Sequence, residues 1–363
     1  MIDNSWTGAA SPVDFNEDGW LDLYVVSMQG HDEYYENQQG KRFQKKSREV
    51  FPKTPWGAMG IKVFDFDNDQ RLDIMITDMH TDMIDETLKA RRFWHAEKMK
   101  MTDLFRPRYL KTDGNHILGN AFFQNLGNGS FREISDDIGV ENYWPWGLSV
   151  GDVNADGFDD VFITASMNYP YRYAVNSLLL NEKGKMFRDS EFVLGVEPRR
   201  DGRTCQSWFE LDCDGKDSQH DISKGRQGSV EVWGALGSRS SVIFDLDNDG
   251  DLDIVTNDFH SEPMVLVSNL AETTQVRYLS IRLRGNKSNR FGIGATVQVR
   301  ANGQTNTKVQ DGQSGYLSQS IQPLYFGLGA ATTVDEIRVT WPSGQQQVLP
   351  GPIEPNRVMT IDE

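Results

Sequence analysis

One ten-residue acidic pattern occurs four times in this chain and constrains the fold more than any other feature. Its copies are DFNEDGWLDL, DFDNDQRLDI, DVNADGFDDV and DLDNDGDLDI, which begin at Asp14, Asp65, Asp152 and Asp245. Alternate oxygen-bearing side chains in a tight loop are how a backbone surrounds a hard cation such as Ca²⁺. The sequence therefore predicts four calcium-binding loops.

The predicted ligands occupy the same positions in every copy. Positions one, three, five and nine supply side-chain oxygens, and position seven supplies a backbone carbonyl whatever its side chain. Loop by loop, the candidate ligands are Asp14, Asn16, Asp18, Trp20 and Asp22; Asp65, Asp67, Asp69, Arg71 and Asp73; Asp152, Asn154, Asp156, Phe158 and Asp160; and Asp245, Asp247, Asp249, Asp251 and Asp253.

Position six is a glycine in three loops, where a sharp turn favours positive φ. In the second loop the residue at this position is Gln70. We therefore expect the second loop to bind calcium last, or to be distorted.

The residues that follow each loop distinguish it from an EF-hand. An EF-hand requires a bidentate Glu at position twelve within a helix-loop-helix. Position twelve here is Val25, Ile76, Ile163 or Thr256, and the following segments are rich in β-branched and aromatic residues. The loops are therefore predicted to join strands. A soluble acidic hairpin tip would explain one copy equally well, but four copies in register favour metal binding.

A hairpin follows three of the loops. The segments YYENQQGKRF, AFFQNLGNGSF and LLLNEKGKMF each place Gly or Asn between two apolar runs. The strands before and after the loop, together with this hairpin, make roughly four strands per repeat, the content of one propeller blade.

These loops and hairpins resemble FG-GAP/VCBS repeats, the calcium-binding blades of integrin α-chains and many bacterial surface proteins. The tail segments FGIGATVQV, DGQSGYLSQS, YFGLG and VDEIRVTWPSG resemble the ASPIC/UnbV domain that follows such repeats in the cartilage acidic protein-like family. The resemblance implies an all-β fold, a β-propeller of FG-GAP-type blades with calcium-binding loops followed by a small antiparallel β domain.

We predict a propeller over residues 1–270 and an ASPIC/UnbV-like domain over residues 271–363. The second and third spacings between loops are much longer than the first, which indicates insertions at about residues 78–120 and 197–232. A helix is predicted in the first, within IDETLKARRFWHAEKMKMTDLF. The second is rich in Gly, Arg and Asp and is predicted to be a loop. The number of blades stays open.

Composition limits the partners and the location. The 363 residues carry a formal net charge of −16, from 37 basic and 53 acidic side chains. This acidity argues against nucleic acid as a partner, because a phosphate backbone demands a basic face. No apolar run is long enough for a membrane span, and an N-terminal signal peptide is absent, removed or upstream of this sequence. The calcium loops predict a secreted, cell-surface or periplasmic protein.

The two cysteines, Cys205 and Cys213, lie within TCQSWFELDCDG. We favour a disulfide between them, because calcium loops belong in compartments where thiols oxidise. Two unrelated thiols are the alternative. A zinc site has little support, because no paired histidines lie nearby.

Three functions fit the sequence. We favour a calcium-stabilised interaction module that binds a protein or glycan, because common catalytic motifs are missing. A calcium-dependent carbohydrate-active enzyme, a lyase or hydrolase, is the second. Its candidate catalytic residues would lie on the face opposite the calcium loops and are His31, His80, His260, Asp82 and Glu262. Ordinary polar loop residues are the favoured explanation for these side chains. A structural subunit of a larger assembly is the third.

Aromatic residues are concentrated in the third repeat, at Tyr143, Trp144, Trp146, Tyr169, Tyr171 and Tyr173. They could form a platform on which sugars stack. Burial between sheets is the favoured alternative, because blade strands commonly place aromatic side chains there.

Overall fold

The computed structural model describes residues 6–79, 116–117, 119–166 and 173–363, and strands dominate these residues. The strands that precede the tail are β1 (Thr7–Val13), β2 (Asp22–Ser27), β3 (Glu33–Asn37), β4 (Phe43–Lys45), β5 (Thr54–Pro55), β6 (Ala58–Phe64), β7 (Asp73–Asp78), β8 (His116–Ile117), β9 (Ala121–Gly127), β10 (Ser130–Glu133), β11 (Pro145–Gly151), β12 (Asp160–Ala165), β13 (Ser177–Asn181), β14 (Phe187–Asp189), β15 (Cys205–Asp212), β16 (Ser229–Ala235), β17 (Ser238–Phe244), β18 (Asp253–Asp258) and β19 (Val265–Leu266). The described helices are one-turn segments, α1 (Ser47–Val50), α2 (Ser135–Ile138) and α3 (Leu270–Thr273), with 3₁₀ turns at Arg200–Gly202 and Asp221–Ser223. None is long and apolar enough to cross a membrane.

The strands form blade-like antiparallel sheets. Three sheets have four strands each, β1-β2-β3-β4, β6-β7-β9-β10 and β11-β12-β13-β14, and a fourth has three, β17-β18-β19. In every sheet the strands before and after the acidic loop are antiparallel neighbours. The loops therefore join strands, and the three predicted hairpins form the outer strands β3–β4, β9–β10 and β13–β14.

The sheets stack face to face, because both faces of their central strands are apolar. On β9, Phe123 packs into a core between the first and second sheets, while the adjacent Phe122 packs into a core between the second and third. Successive side chains on a strand point to opposite faces, so one strand supplies two cores. The inner strands β1, β6, β11 and β17 contact one another in that order. This is the all-β blade architecture that the repeats predict.

The predicted loop at 197–232 is wrong in its secondary structure. Strands β15 and β16 pair as an antiparallel hairpin, whose side chains Leu211, Cys213 and Val232 form a small core of their own. The short parallel pair β5–β8 is a further element that the sequence did not indicate. The helix predicted at residues 84–105 lies outside the described residues.

The favoured disulfide is also wrong. Both cysteines are free, Cys205 at the start of β15 and Cys213 just past its end. Eight residues of extended strand separate them by about 26 Å. A disulfide requires Cα atoms within about 7 Å of each other.

The tail forms two sheets around its own core. Its strands are β20 (Tyr278–Arg284), β21 (Thr296–Ala301), β22 (Gln304–Val309), β23 (Leu324–Gly327), β24 (Val334–Thr340), β25 (Gln346–Ile353) and β26 (Arg357–Asp362). They assemble as β23-β20-β26 and β22-β21-β24-β25 and are antiparallel apart from the pair β20–β26. Trp341, Phe326 and Val297 are among the side chains buried between the two sheets.

Candidate metal centre

The four acidic loops share one backbone conformation. Position six has positive φ in each, 88° at Gly19, 73° at Gln70, 93° at Gly157 and 98° at Gly250. Gln70 therefore does not distort the second loop, although this conformation costs a residue with a Cβ more than it costs glycine. Position four also has positive φ, with values from 55° to 65°, at Glu17, Asn68, Ala155 and Asn248. No glycine marks position four in the sequence.

The first aspartate organises each turn by accepting backbone hydrogen bonds. In the first loop the amide of Asp18 donates to Asp14 Oδ1 at 3.1 Å, and the amide of Gly19 donates to Asp14 Oδ2 at 2.8 Å. The position-six amide donates to the first aspartate at 2.8 Å in the second and third loops as well. These bonds hold the chain curled around the position-one carboxylate.

Position nine ties the loop to the blade. Asp73 Oδ2 accepts from the amide of Phe66 at 3.2 Å, and its Oδ1 accepts from the amide of Asn125 at 2.8 Å. Equivalent pairs of bonds are made by Asp22, Asp160 and Asp253. Both carboxylate oxygens therefore have a structural partner in addition to any cation.

Asparagines of the hairpins hold the ends of three of the loops, a role that was not predicted from the sequence. Asn37, Asn125 and Asn181 stand at corresponding points of the three hairpins and donate from Nδ2 to the position-eight carbonyls of Leu21, Leu72 and Asp159. The signal was present, because the same residue type recurs between the apolar run and the turn glycine in all three hairpin segments.

In the second and fourth loops, three carboxylates form a close cluster. Carboxylate oxygens of Asp65, Asp67 and Asp73 lie within 4.8 Å of one another, as do those of Asp245, Asp247 and Asp253. In the first and third loops, position three is an asparagine, whose Oδ1 accepts the position-five amide at 3.1 Å and 3.0 Å.

The donor set fits Ca²⁺, which binds carboxylate and carbonyl oxygens. Asp245 Oδ1 and Asp251 Oδ1 are buried without a hydrogen-bond partner among the described residues, which leaves acceptor capacity for a cation in the fourth loop.

Position seven has the same backbone bond in every loop. Its amide donates to the position-five carboxylate at 2.9 to 3.0 Å, from Trp20, Arg71, Phe158 and Asp251. The metal-binding role of the position-seven carbonyls stays a prediction.

Burial raises the pKa of several loop carboxyls. It raises the pKa of Asp65 to about 8, with the charges of Asp69 and Asp67 adding to the effect. Burial also raises the pKa of Asp152 to about 8, against the opposing charge of Lys308. The pKa values of Asp73 and Asp160 lie well above the ordinary range for the same reason. A desolvated cluster of like charges favours either protons or a cation.

Two basic side chains lie at the loops. The guanidinium of Arg71 contacts Asp69 within the second loop. The ammonium of Lys308, from the tail, contacts Asp159 at position eight of the third loop. Each contact lowers the local excess of negative charge, and Lys308 also brings the tail to the loop.

The candidate catalytic histidines have separate neighbours where they are described. The ring of His31 stacks on His116 with centroids 3.9 Å apart. The ring of His260 lies 5.3 Å from that of Trp208 on β15, and Glu262 is exposed. His80 and Asp82 lie outside the described residues. A shared site for these residues stays a prediction.

In the aromatic cluster of the third repeat, the two tryptophans are buried, and Tyr143 and Tyr173 are half-buried. Trp144 and Trp146 are each 8% exposed, so neither presents a ring face to solvent. Tyr173 donates to the carboxylate of Glu197. Tyr169 and Tyr171 lie outside the described residues. Burial, the favoured alternative, accounts for both tryptophans.

Comparison with known proteins agrees with the repeat pattern. The sequence matches the FG-GAP-like repeat family over residues 14–76 and 104–163. It matches the ASPIC and UnbV family over residues 285–363. Cartilage acidic protein 1 of Xenopus tropicalis is 26% identical in an alignment that covers 62% of this chain and 38% of that protein. The chain thus spans well under half the length of this relative.

A solved structure of the rhamnogalacturonan lyase YesW is similar at a TM-score of 0.29 and 10% identity, over 95% of this chain and 64% of that chain. A likeness this low supports no conclusion about fold or activity. The family matches do support a conclusion about the fold, because they cover the first three acidic loops and most of the two-sheet tail. The chain contains FG-GAP-like repeats and, C-terminal to them, an ASPIC and UnbV domain.

Proposed function

We propose that this chain is a calcium-stabilised extracellular or periplasmic interaction module that binds a protein or glycan partner. The observation that carries the proposal is the fourfold repetition of one loop geometry in which oxygen ligands converge, with carboxylate oxygens within 4.8 Å of one another in two copies. FG-GAP-like repeats and the similarity to cartilage acidic protein 1 support an extracytoplasmic location.

Calcium acts in this proposal as a staple for the blades. Carboxylates held this close repel one another, and a divalent cation replaces that repulsion with attraction. For a site with an affinity of ~10⁻⁴ M in about 2 mM calcium, mass action contributes on the order of 2 kcal/mol to stability. Several such sites would contribute a large share of a domain's net stability.

The partner-binding part of the proposal is supported by an exposed apolar segment after β14. Phe192, Val193 and Leu194 are consecutive and are 59%, 86% and 51% exposed. Three exposed apolar side chains in a row are disfavoured on a soluble surface unless they serve a function. We place the contact with the partner at this segment.

Calcium binding is tested by thermal unfolding of the chain in calcium and in a chelator. The chelator should lower the melting temperature by several degrees, because ligand bound only to the folded state adds stability. Identical melting curves in both conditions would contradict the calcium staple.

Partner binding is tested on glycan and extracellular-protein arrays, beside an absorbance assay for polysaccharide lyase activity. Val193→Asp should abolish binding to any array ligand without changing the melting temperature. Val348→Asp is the matched control, because Val348 is 52% exposed on β25, in the C-terminal domain. Turnover of a polysaccharide would contradict the proposal and favour the enzyme.

A further inference from the structure

The C-terminal domain lies against the acidic loops and covers the third one closely. Asn306 Nδ2 donates to the carbonyl of Gly157 at 2.6 Å, and the amide of Gly329 donates to the carbonyl of Ala155 at 3.0 Å. A Cβ on Gly327 would lie 1.9 Å from Asp152 Oδ2. The backbone of the C-terminal domain therefore passes directly over the first predicted ligand of this loop.

The C-terminal domain also reaches the other three loops. Each contact joins one of its residues to a residue inside an acidic repeat. The pairs are Tyr325 with Gly250 (Oη to carbonyl, 3.0 Å), Gln298 with Gln70 (Nε2 to Oε1, 3.5 Å) and Gly294 with Leu21, whose Cδ1 would meet a Cβ on the glycine at 2.6 Å. The C-terminal domain thus contacts at least one residue in each of the four acidic loops.

A single segment of that domain, Asp311–Ser318, runs between the four inner strands, and we call it the axial segment. Lys62 on β6 donates from Nζ to Asp311 Oδ2 at 2.6 Å and to the Gln313 carbonyl at 2.9 Å. Ser314 Oγ donates to the Ser241 carbonyl on β17 at 2.5 Å.

The same segment contacts the remaining two inner strands. Gln313 donates from Nε2 to the carbonyl of Ala10 on β1. The backbone of the axial segment also packs directly against β11. A Cβ on Gly315 would lie 2.1 Å from the carbonyl oxygen of Leu148. Four blades are therefore held at their inner edges by eight residues of the tail.

From this arrangement we infer that the C-terminal domain is a clasp whose docking is coupled to calcium binding by the loops, an inference that rests on the proposed calcium staple. Docking covers the carboxylate of Asp152, which is 2% exposed and lies under the backbone of Gly327. Covering this charge is costly unless a cation compensates it. Bound calcium therefore shifts the docking equilibrium of the clasp towards the docked state. By reciprocity, docking raises the calcium affinity of the loops by the same factor.

The coupling is tested by calorimetric titration of the full chain with CaCl₂. Gly315→Ala places a methyl group against the Leu148 carbonyl and should weaken calcium binding by roughly fivefold or more, within the range of measured coupling. Gly344→Ala is the matched control. Its φ of 84° is close to the 81° of Gly315, but nothing lies within 4 Å of its Cβ position, so calcium affinity should not change.

Two further measurements test the coupling between docking and calcium binding without relying on Gly315→Ala. Tyr325→Phe removes the hydroxyl that bonds to Gly250 and should weaken calcium binding at the fourth loop. In the wild-type chain, a chelator should speed tryptic cleavage near Arg277, between the blades and the clasp, by roughly the coupling factor.

The outcomes separate the inference from the proposed function. Wild-type calcium affinity in folded Gly315→Ala and Tyr325→Phe would overturn the coupling and leave the calcium staple in place. Cleavage that does not respond to the chelator would also overturn it. A wild-type chain that shows no binding in the CaCl₂ titration and no calcium-dependent change in melting temperature would contradict both the calcium staple and the coupling.

Discussion

At the scale of single residues, the acidic loops combine two functions in the same side chains. Asp73 is 1% exposed, and its two oxygens hold the amides of Phe66 and Asn125 while lying in the cluster with Asp65 and Asp67. A substitution here would remove structural hydrogen bonds and a predicted ligand together. Asp247 is exposed and holds fewer such bonds, so it isolates metal binding better.

We expect Asp247→Ala to remove much of the stability that calcium adds through the fourth loop. The loss should be about 2 kcal/mol in millimolar calcium and close to zero in a chelator. Thermal unfolding in both conditions measures it. Asp335→Ala, at an exposed position of β24, is the matched control and should behave like wild type in both. An equal loss with and without calcium would identify a purely structural role for Asp247.

We expect Gln70→Gly to strengthen calcium binding by the second loop, because relief of the Cβ penalty at the observed φ of 73° outweighs the loss of the weak 3.5 Å contact with Gln298. The reciprocal change, Gly19→Gln, should weaken binding by the first loop. The Cβ position of Gly19 has no atom within 4 Å, so that variant tests the backbone conformation alone. Calcium titration of both variants measures the effect. Equal calcium affinities in the wild type and in both variants would show that the residue at position six does not affect calcium binding.

At the scale of elements, hydrogen bonds join the acidic loop to the outer hairpin in the first three blades. Position nine of the loop accepts the amide at the end of the third strand, and the hairpin asparagine returns a bond to position eight. The three hairpins were predictable, because Gly and Asn turns between apolar runs are a local signal. The β15–β16 hairpin was missed, because the Gly-, Arg- and Asp-rich connection between its strands dominated the composition of the segment.

We expect Asn181→Ala to destabilise the chain by roughly 2 to 3 kcal/mol, because it leaves buried carbonyls without donors. Asn181 Nδ2 donates to the carbonyl of Phe66 in the neighbouring blade at 2.8 Å and to that of Asp159 at 3.1 Å. Asn125→Ala is the matched comparison, because Asn125 is buried to the same extent and donates only to its own blade, at the Leu72 carbonyl. Chemical denaturation should show the larger loss in Asn181→Ala. Equal losses would mean that the bond between blades adds little.

At the scale of the whole molecule, the sheets share cores and the C-terminal domain reaches all four loops. Phe122 and Phe123 serve different cores from adjacent positions, so a single blade has no complete core of its own. Stability must then depend on neighbouring blades, as in other repeat architectures. The clasp adds contacts that join sheets far apart in the sequence.

Without calcium, the stability of the fold should fall as pH rises, whereas the stability that calcium adds should increase with pH. The pKa values of Asp65 and Asp152 are about 8 in the cation-free fold, against an ordinary value of 3.8. The folded state then holds protons that the unfolded state has released, so cation-free stability falls as pH rises from about 4 towards 8. Protons compete with calcium for the same oxygens.

The melting temperature in a chelator should therefore be higher at pH 5.5 than at pH 7.5. The increase produced by calcium should be largest near pH 7.5 and should shrink towards pH 5.5. Calorimetric scans at both pH values, with calcium and with chelator, measure these differences. A calcium-induced increase that does not vary with pH would contradict the prediction.

The sequence by itself determined the features that local patterns encode. Four loops in register, the strands on either side of them and the order of repeats and tail followed from the spacing of Asp14, Asp65, Asp152 and Asp245 and from residue types with strong backbone preferences. The tertiary structure decided what depends on residues far apart in the chain. The separation of Cys205 from Cys213 depends on strand β15, which the Gly-, Arg- and Asp-rich composition of its segment did not indicate. The contacts of Lys62 with Asp311 and of Asp152 with Gly327 join segments whose sequences carry no periodic signal for each other, because only the packing of blades against the tail brings them together.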